Sequence, residues 1–357
     1  MTPSQFDFDC IARTRYYKRH MENCLKHNYT RDICDKSFND LHIDRSKYIN
    51  VVQKSPLWLK LRALSNGTAS SLGKYIMGDK WTSEDQLNEN WYNKIEQPIT
   101  QMMEAHMKWG TTYEDLALIC FAEQYDVCAL QVGTLRVDYF DIHENYKLFF
   151  PFLPDLKIED NSNFHLLISP DGIVTNHKNK KIGMLEIKCM SPFYHLENEN
   201  NNIIWSHNME NRQWTTVDKI PHVYFIQMCL QALSGIIELE MDLKDTMYFE
   251  RWSPKGFSIF EIPFQELFMI GILVSELYFS ILQRTKNNKK AYPLNEEETQ
   301  VYSHITKLKK IIFKKIKHKY YDIRDKHPYY DLFQNYYFVT KYSEFTMKKE
   351  VKSQCLI

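Results

Sequence analysis

The segment FHLLISPDGIVTNHKNKKIGMLEIKCM, residues 164–190, constrains the fold more than any other part of the chain. Two apolar runs flank the polar turn NHKNKK (176–181), a pattern that predicts a β-hairpin. If the hairpin is symmetric about Lys178 and Asn179, Asp171 lies across from Glu186. Side chains alternate along a strand, so Glu186 and Lys188 share one face while Leu185 and Ile187 share the other. Two carboxylates and an ammonium then converge at the edge of an apolar sheet. Opposed like charges destabilise a sheet, and a divalent cation with hard oxygen ligands turns that repulsion into coordination. A lysine in this position can orient or deprotonate a water, while the cation stabilises charge building on a phosphate, which suits phosphodiester hydrolysis. The same P-D-x(n)-E-x-K spacing also occurs on ordinary exposed strands, and a bulge would break the simple pairing.

Other segments supply candidate partners. In WGTTYEDLALICF (109–121), Thr111 and Glu114 have the spacing of a capping box; the alternative is that Glu114 brings a third carboxylate to the patch from a helix packed on the sheet. In SPLWLKLRALSNGTASSLGKYI (55–76), Thr68 or Ser70 can cap a helix, or form a phosphate site with Arg62 and the free N–H groups of that helix. The helix predicted over 220–235 starts after Pro221, ends at Gly235 and carries a polar stripe of Tyr224, Gln227, Gln231 and Ser234. Such a stripe usually faces solvent; the alternative, since Val223, Ile226, Leu230 and Leu233 bury the adjoining face, is that Gln227 borders a cleft and bonds a water or phosphate. In 305–321 seven Lys occur without an acid, and the apolar residues recur at helical spacing, so the Lys are expected on the opposite face.

Lys plus Arg equals Asp plus Glu at 45 each in 357 residues, which excludes a uniformly basic nucleic-acid coat. It leaves room for a basic channel with an acidic centre. Helices are expected at 55–65, 70–77, 98–125, 220–236 and 264–284, and strands at 127–138, 147–153, 164–175, 181–189 and 245–263, an order that favours an α/β or α+β core. Residues 1–50 read as an N-terminal extension, 51–285 as the core, and 286–357 as a helical, Lys- and Tyr-rich extension with a helix over 296–320. The eight Cys include no C-x-x-C pair and read as reduced core thiols. No apolar stretch of about 18 residues and no leader-like run is evident, so a soluble, intracellular protein without a membrane segment is expected.

The ordered set W-x-x-L-R (58–62), T-A-S (68–70), W-G-x-x-Y-E (109–114), S-P-D-G (169–172), L-E-I-K-C (185–189) and Y-x-x-Q-x-x-x-Q (224–231) resembles the lambda-exonuclease or YqaJ-type viral recombinase branch of the PD-(D/E)XK nucleases. The similarity covers about 55–265. It implies a PD-(D/E)XK restriction-endonuclease-like core with a central mixed sheet flanked by helices. It also implies a Mg²⁺-dependent exonuclease, with Mn²⁺ as a substitute, that digests duplex DNA from the 5′ end during viral recombination, repair or replication. Asp171, Glu186 and the Ile187 carbonyl would hold the metal, Lys188 would position or activate the water, and Glu114 would match the family's helix carboxylate. Gln227 would match the glutamine near the water, and Arg62 with Ser70 the 5′-phosphate clamp. One extra residue after Arg62 leaves the clamp hydroxyl open among Thr68, Ser70 and Ser71. Double-stranded DNA ends, a single-strand annealing protein and further copies of the chain are the partners that the resemblance brings in. An endonuclease of resolvase or restriction type and a non-catalytic DNA-end-binding scaffold are the alternatives.

Overall fold

The computed structural model describes residues 45–76, 83–92, 101–156, 158, 163–176, 178, 180–190, 195–197, 203–207, 220–253, 256–286, 290–322, 336–341 and 347–351. After a 3-10 helix at Arg45–Asn50 come α1 (Pro56–Leu64), β1 (Gly67–Thr68), α2 (Ala69–Ile76), α3 (Glu84–Tyr92), α4 (Gln101–Tyr125), β2 (Cys128–Leu130), β3 (Leu135–Asp138) and α5 (Tyr139–Phe149). Next are β4 (His165–Ile168), β5 (Gly172–Thr175), β6 (Lys181–Cys189), β7 (His195–Glu197), β8 (Ile203–His207), α6 (His222–Leu239), β9 (Thr246–Ser253), β10 (Gly256–Pro263) and α7 (Phe264–Lys286). The chain continues through α8 (Glu296–Phe313), β11 (Lys317–Asp322), β12 (Tyr336–Lys341) and β13 (Met347–Val351).

The hairpin at the heart of the sequence forms as β5 and β6. Gly172 pairs with Leu185, Ile173 with Met184 and Val174 with Gly183, the predicted register. A bulge lies between Val174 and Thr175, so it is absorbed beside the turn and leaves the other end of the hairpin in register. The Asn176 side chain ties the turn by accepting from the backbone N–H groups of Lys178 and Lys180. The pair sits inside a six-stranded sheet of order β11-β10-β9-β6-β5-β2. β6 and β9 run parallel and the other neighbours antiparallel, which makes the sheet mixed. A three-stranded sheet of order β1-β4-β3 and a four-stranded one of order β13-β12-β8-β7 accompany it.

Alternation along β6 and β9 divides the core into two layers. Met184, Met247 and Phe249 face one side, where Phe225, Ile226 and Leu230 of α6 pack with α7. Leu185, Ile187 and Trp252 face the other, against Tyr113, Ala117 and Phe121 of α4. Helices therefore flank the central sheet, as the resemblance implies. Contrary to the reading of the sequence, α6 and α7 are long and apolar enough to cross a membrane by length and composition; most of each is buried inside the fold.

Four expectations need correction. The arm read as one strand over 164–175 is two: β4 belongs to the three-stranded sheet and β5 to the central one. Pro170 between them has no N–H to continue a ladder. The run 147–153 is the end of α5 and a turn, because Tyr139, Ile142 and Tyr146 already set a helical face upstream. Gly235 does not end α6, which runs on to a left-handed Glu240; a Cβ at Gly235 would lie 2.8 Å from Met184 and Phe264, so close packing is its role. Finally, the helix expected to 320 stops at Phe313, and 317–322 form an edge strand hydrogen-bonded to β10.

Glu250, the register partner of Ile187, faces the α4 layer fully buried. Neither carboxylate oxygen has a hydrogen-bond partner among the described residues. Burial holds its pKa well above the usual glutamate value, so the native state carries it protonated where the unfolded chain has lost the proton. Stability contributed by that proton is present at low pH and declines as pH rises past the unfolded value. Glu250→Met is therefore expected to raise unfolding free energy by about 1–3 kcal/mol at pH 8 and by less at pH 5, as measured by denaturant titration at both pH values.

Candidate functional site

The site is built at the corner where the chain passes from β4 to β5. The Asp171 N–H donates to the Leu185 carbonyl at 3.1 Å, and one Asp171 carboxylate oxygen accepts from the Ile187 N–H at 2.7 Å. These bonds clip Asp171 to β6 opposite Glu186. The Glu186 side chain is fully buried, a costly place for a charge unless donors surround it. Gln227 and Gln231, one helical turn apart on α6, both point at it and donate at 2.7 and 2.5 Å to its two oxygens. Lys188 donates to the same oxygen as Gln227 and, part-exposed, places its Nζ 5.1 Å from the Tyr224 ring centre.

Charge in this patch is unbalanced. Burial, then the nearby Glu186, raises the Asp171 pKa, with Lys188 and the Ile187 N–H opposing. Burial and Asp171 likewise raise that of Glu114, with Lys54 opposing. Burial works against the Lys188 ammonium, but Glu186 and Asp171 outweigh it and hold its pKa above the lysine value. Lys188 is thus an ammonium, and the carboxylates still favour a further positive charge. Asp171, Glu186 and the Ile187 carbonyl offer only hard oxygen donors, a set that suits Mg²⁺ or Mn²⁺. No group of three His, Cys, Asp or Glu that could hold one ion occurs among the described residues.

Glu114 lies in mid-helix. Because α4 begins at Gln101, Thr111 is not an N-cap, and the capping-box alternative falls. The Glu114 carboxylate accepts from Lys54 Nζ at 3.0 Å across a cleft of about 220 Å³ that Asp171 also lines. The far wall is the stretch 49–54, which docks through bonds from Gly133 N–H to the Ile49 carbonyl and from Thr134 N–H to that of Tyr48. A Cβ at Gly133 would sit 2.1 Å from the Val51 carbonyl, so only glycine allows this approach. Lys54 has a left-handed φ of 66°, and Gln53 donates to the carbonyls of Val132 and Pro170, both at 2.8 Å. Sequence reasoning missed Gln53 and Lys54, since nothing periodic marks the loop that carries them.

Arg62 gathers the hydroxyls left open above. Its guanidinium donates to Ser70 at 3.0 Å and Thr68 at 3.3 Å and lies 4.2 Å from the Trp58 ring centre, while Thr68 donates to Ser71 at 3.0 Å. Burial lowers the Arg62 pKa. A sheltered cation among hydroxyls at a helix start is a place for an anion. Trp58 donates to the Ser169 hydroxyl at 3.0 Å, and Thr68 pairs in parallel with Leu167. The cluster is thereby tied to the S-P-D corner, and Ser169 joins the candidates although the sequence reading gave it no role. The C-terminal Lys do not share one face: Lys309 is buried against His222, while Lys315 and Lys319 pair with Glu266 and Glu261 at 3.3 and 3.1 Å.

Two outcomes follow from this geometry. Gln231→Leu strips a donor from the buried Glu186 and is expected to cost about 1–3 kcal/mol of unfolding free energy in denaturant titration. A bound cation competes with the proton that the raised Asp171 pKa favours, so Mn²⁺ affinity in a calorimetric titration is expected to fall as pH is lowered from 8 to 6.

Residues 57–235, half of the chain, match the family described as the YqaJ-like viral recombinase domain. No curated protein and no solved structure matches the chain. The matched span contains α1 with Arg62, the S-P-D corner, β6 and both glutamines of α6, whereas Gln53 and Lys54 precede it. With a mixed sheet flanked by helices and these elements in order, the chain belongs to the YqaJ-like viral recombinase domain family.

Proposed function

We propose that the protein is a divalent-metal-dependent deoxyribonuclease that hydrolyses duplex DNA from the 5′ end in recombination. The observation that supports this most directly is the convergence of Asp171, Lys188, Gln227 and Gln231 on Glu186, beside the anion-binding cluster of Arg62. Membership of a viral recombinase family supports the recombination role.

In this reading Arg62, Thr68 and Ser70 hold a terminal 5′-phosphate, and the next phosphodiester lies over Asp171 and Glu186. Mg²⁺ bound there, with Mn²⁺ able to replace it, supplies Lewis acidity toward the phosphoryl oxygens. Lys188 is held as an ammonium, which favours orienting the attacking water and stabilising charge on the phosphate over removing a proton in the resting state. The water oxygen bonds to phosphorus and gives up a proton to surrounding water, the P–O3′ bond breaks, and the leaving O3′ takes up a proton from surrounding water. A 5′-phosphate remains on the shortened strand. Glu186 aligns Lys188, the two glutamines fix Glu186, and Glu114 with Lys54 bounds the cleft where the water enters. The single strand left behind is a substrate for an annealing protein.

The test uses linear 5′-phosphorylated, linear 5′-hydroxyl and covalently closed circular duplexes with Mg²⁺. Rapid degradation of the first, slower loss of the second and an intact circle are expected, with Lys188→Ala reducing the rate by about 10²–10⁴. Cutting of the circle would identify an endonuclease instead. Tight end binding with no product from any substrate would identify a scaffold.

A further inference from the structure

The face of the central sheet that carries Lys188 continues beyond it. In neighbouring strands, register partners project to the same side at a spacing of about 4.8 Å. Lys188 pairs with Arg251 on β9, Arg251 with Ser258 on β10, and Ser258 with Tyr320 on β11. The row contains no acid; Glu186 stands two residues before Lys188 on β6, and Asp171 precedes β5 on the far side of that strand. Arg251 is half-buried, and its Nη1 is shielded from solvent without a hydrogen-bond partner among the described residues. Burial lowers the Arg251 pKa, and Tyr224, whose ring Lys188 also approaches, opposes that.

A sheltered guanidinium with an unused donor, beside a second cation and in no ion pair with a carboxylate among the described residues, lacks an anion. The anion must offer two or more oxygens to match the planar fork, as a phosphate does. Three stations follow one another from the three-stranded sheet, through the S-P-D corner that Trp58 ties to it, into the central sheet. The Arg62 cluster adjoins β1 and β4, the carboxylates sit on β5 and β6, and Arg251 stands on β9. A nucleic-acid strand anchored at its 5′ end by Arg62 and crossing the carboxylates would next reach Arg251.

We infer that Arg251 binds a backbone phosphate of the cut strand on the 3′ side of the scissile bond, one strand beyond Lys188. This assignment rests on the nuclease reading of the site and makes Arg251 a substrate-positioning residue.

The test measures binding of the full chain to a fluorescent 5′-phosphorylated duplex by anisotropy, over a range of salt, with Ca²⁺ replacing Mg²⁺ to prevent turnover. Arg251→Gln is expected to weaken binding by about tenfold and to lower the slope of log affinity against log salt by about one. Arg251→Lys is expected to keep the wild-type slope while losing part of the affinity, since the charge remains and the fork is lost. A merely structural role would leave the salt slope unchanged. Wild-type affinity and slope in Arg251→Gln overturn the assignment while the nuclease reading stands. If Arg251→Gln does not fold, wild-type affinity in Arg251→Lys overturns it. Failure of the wild-type chain to bind any duplex overturns the nuclease reading and this assignment together.

Discussion

The buried carboxylate of Glu186 is the constraint around which the rest of the site is arranged. A charge with no solvent access must be met by donors, and these come from separate parts of the fold: Lys188 from its own strand, Gln227 and Gln231 from α6. That requirement fixes the rotation of α6 over the sheet. It explains why a helix buried from Phe225 to Gly235 carries two glutamines among Phe225, Met228, Leu230 and Leu233. The otherwise apolar surface of α6 is what excludes water and makes those hydrogen bonds strong.

The second organising feature is the passage between sheets at Ser169, Pro170 and Asp171. Because β4 pairs with β1 and β5 with β6, this short corner links the Arg62 cluster to the carboxylate patch. The corner is held from outside by Gln53, whose amide also grips the Val132 carbonyl. The wall carrying Lys54 lies ahead of the matched family span and still faces Asp171 and Glu114 across one cleft. Contact with the site therefore extends beyond the recognisable domain. The acidic centre of the proposed nuclease is bounded by individual cations, each on a different element, which is compatible with a chain of zero net charge.

Legibility in the sequence follows the range of the interactions. Hairpin pairing, the face shared by Glu186 and Lys188 and the stripe of Tyr224, Gln227 and Gln231 are local or periodic, and so could be read from spacing. The choice between capping and cleft for Glu114 pitted the Thr111 spacing against the helix expected over 98–125; the helix from Gln101 excludes the cap, and the partner across the cleft, Lys54, lies sixty residues away. Gln53, Lys54 and Ser169 act through contacts with residues distant in sequence, which no pattern encodes. Seven Lys in one run looked like a single cationic face, yet burial of Lys309 against α6 and the turn to β11 distribute them.

By itself the sequence determined the hairpin, the alternation that unites Glu186 and Lys188 and sets Leu185 with Ile187, and the ordered motifs of the family. Those properties are set by bond geometry and by hydrophobic periodicity along a few residues. Only the tertiary structure decided which groups stand around the carboxylates. It split the first arm of the hairpin between two sheets, brought Lys54 to Glu114, aimed a second glutamine at Glu186 and set Arg251 beside Lys188. The physical reason is that burial and electrostatic balance are properties of the packed whole: a side chain meets its desolvation cost and its partners only once distant strands and helices close over it.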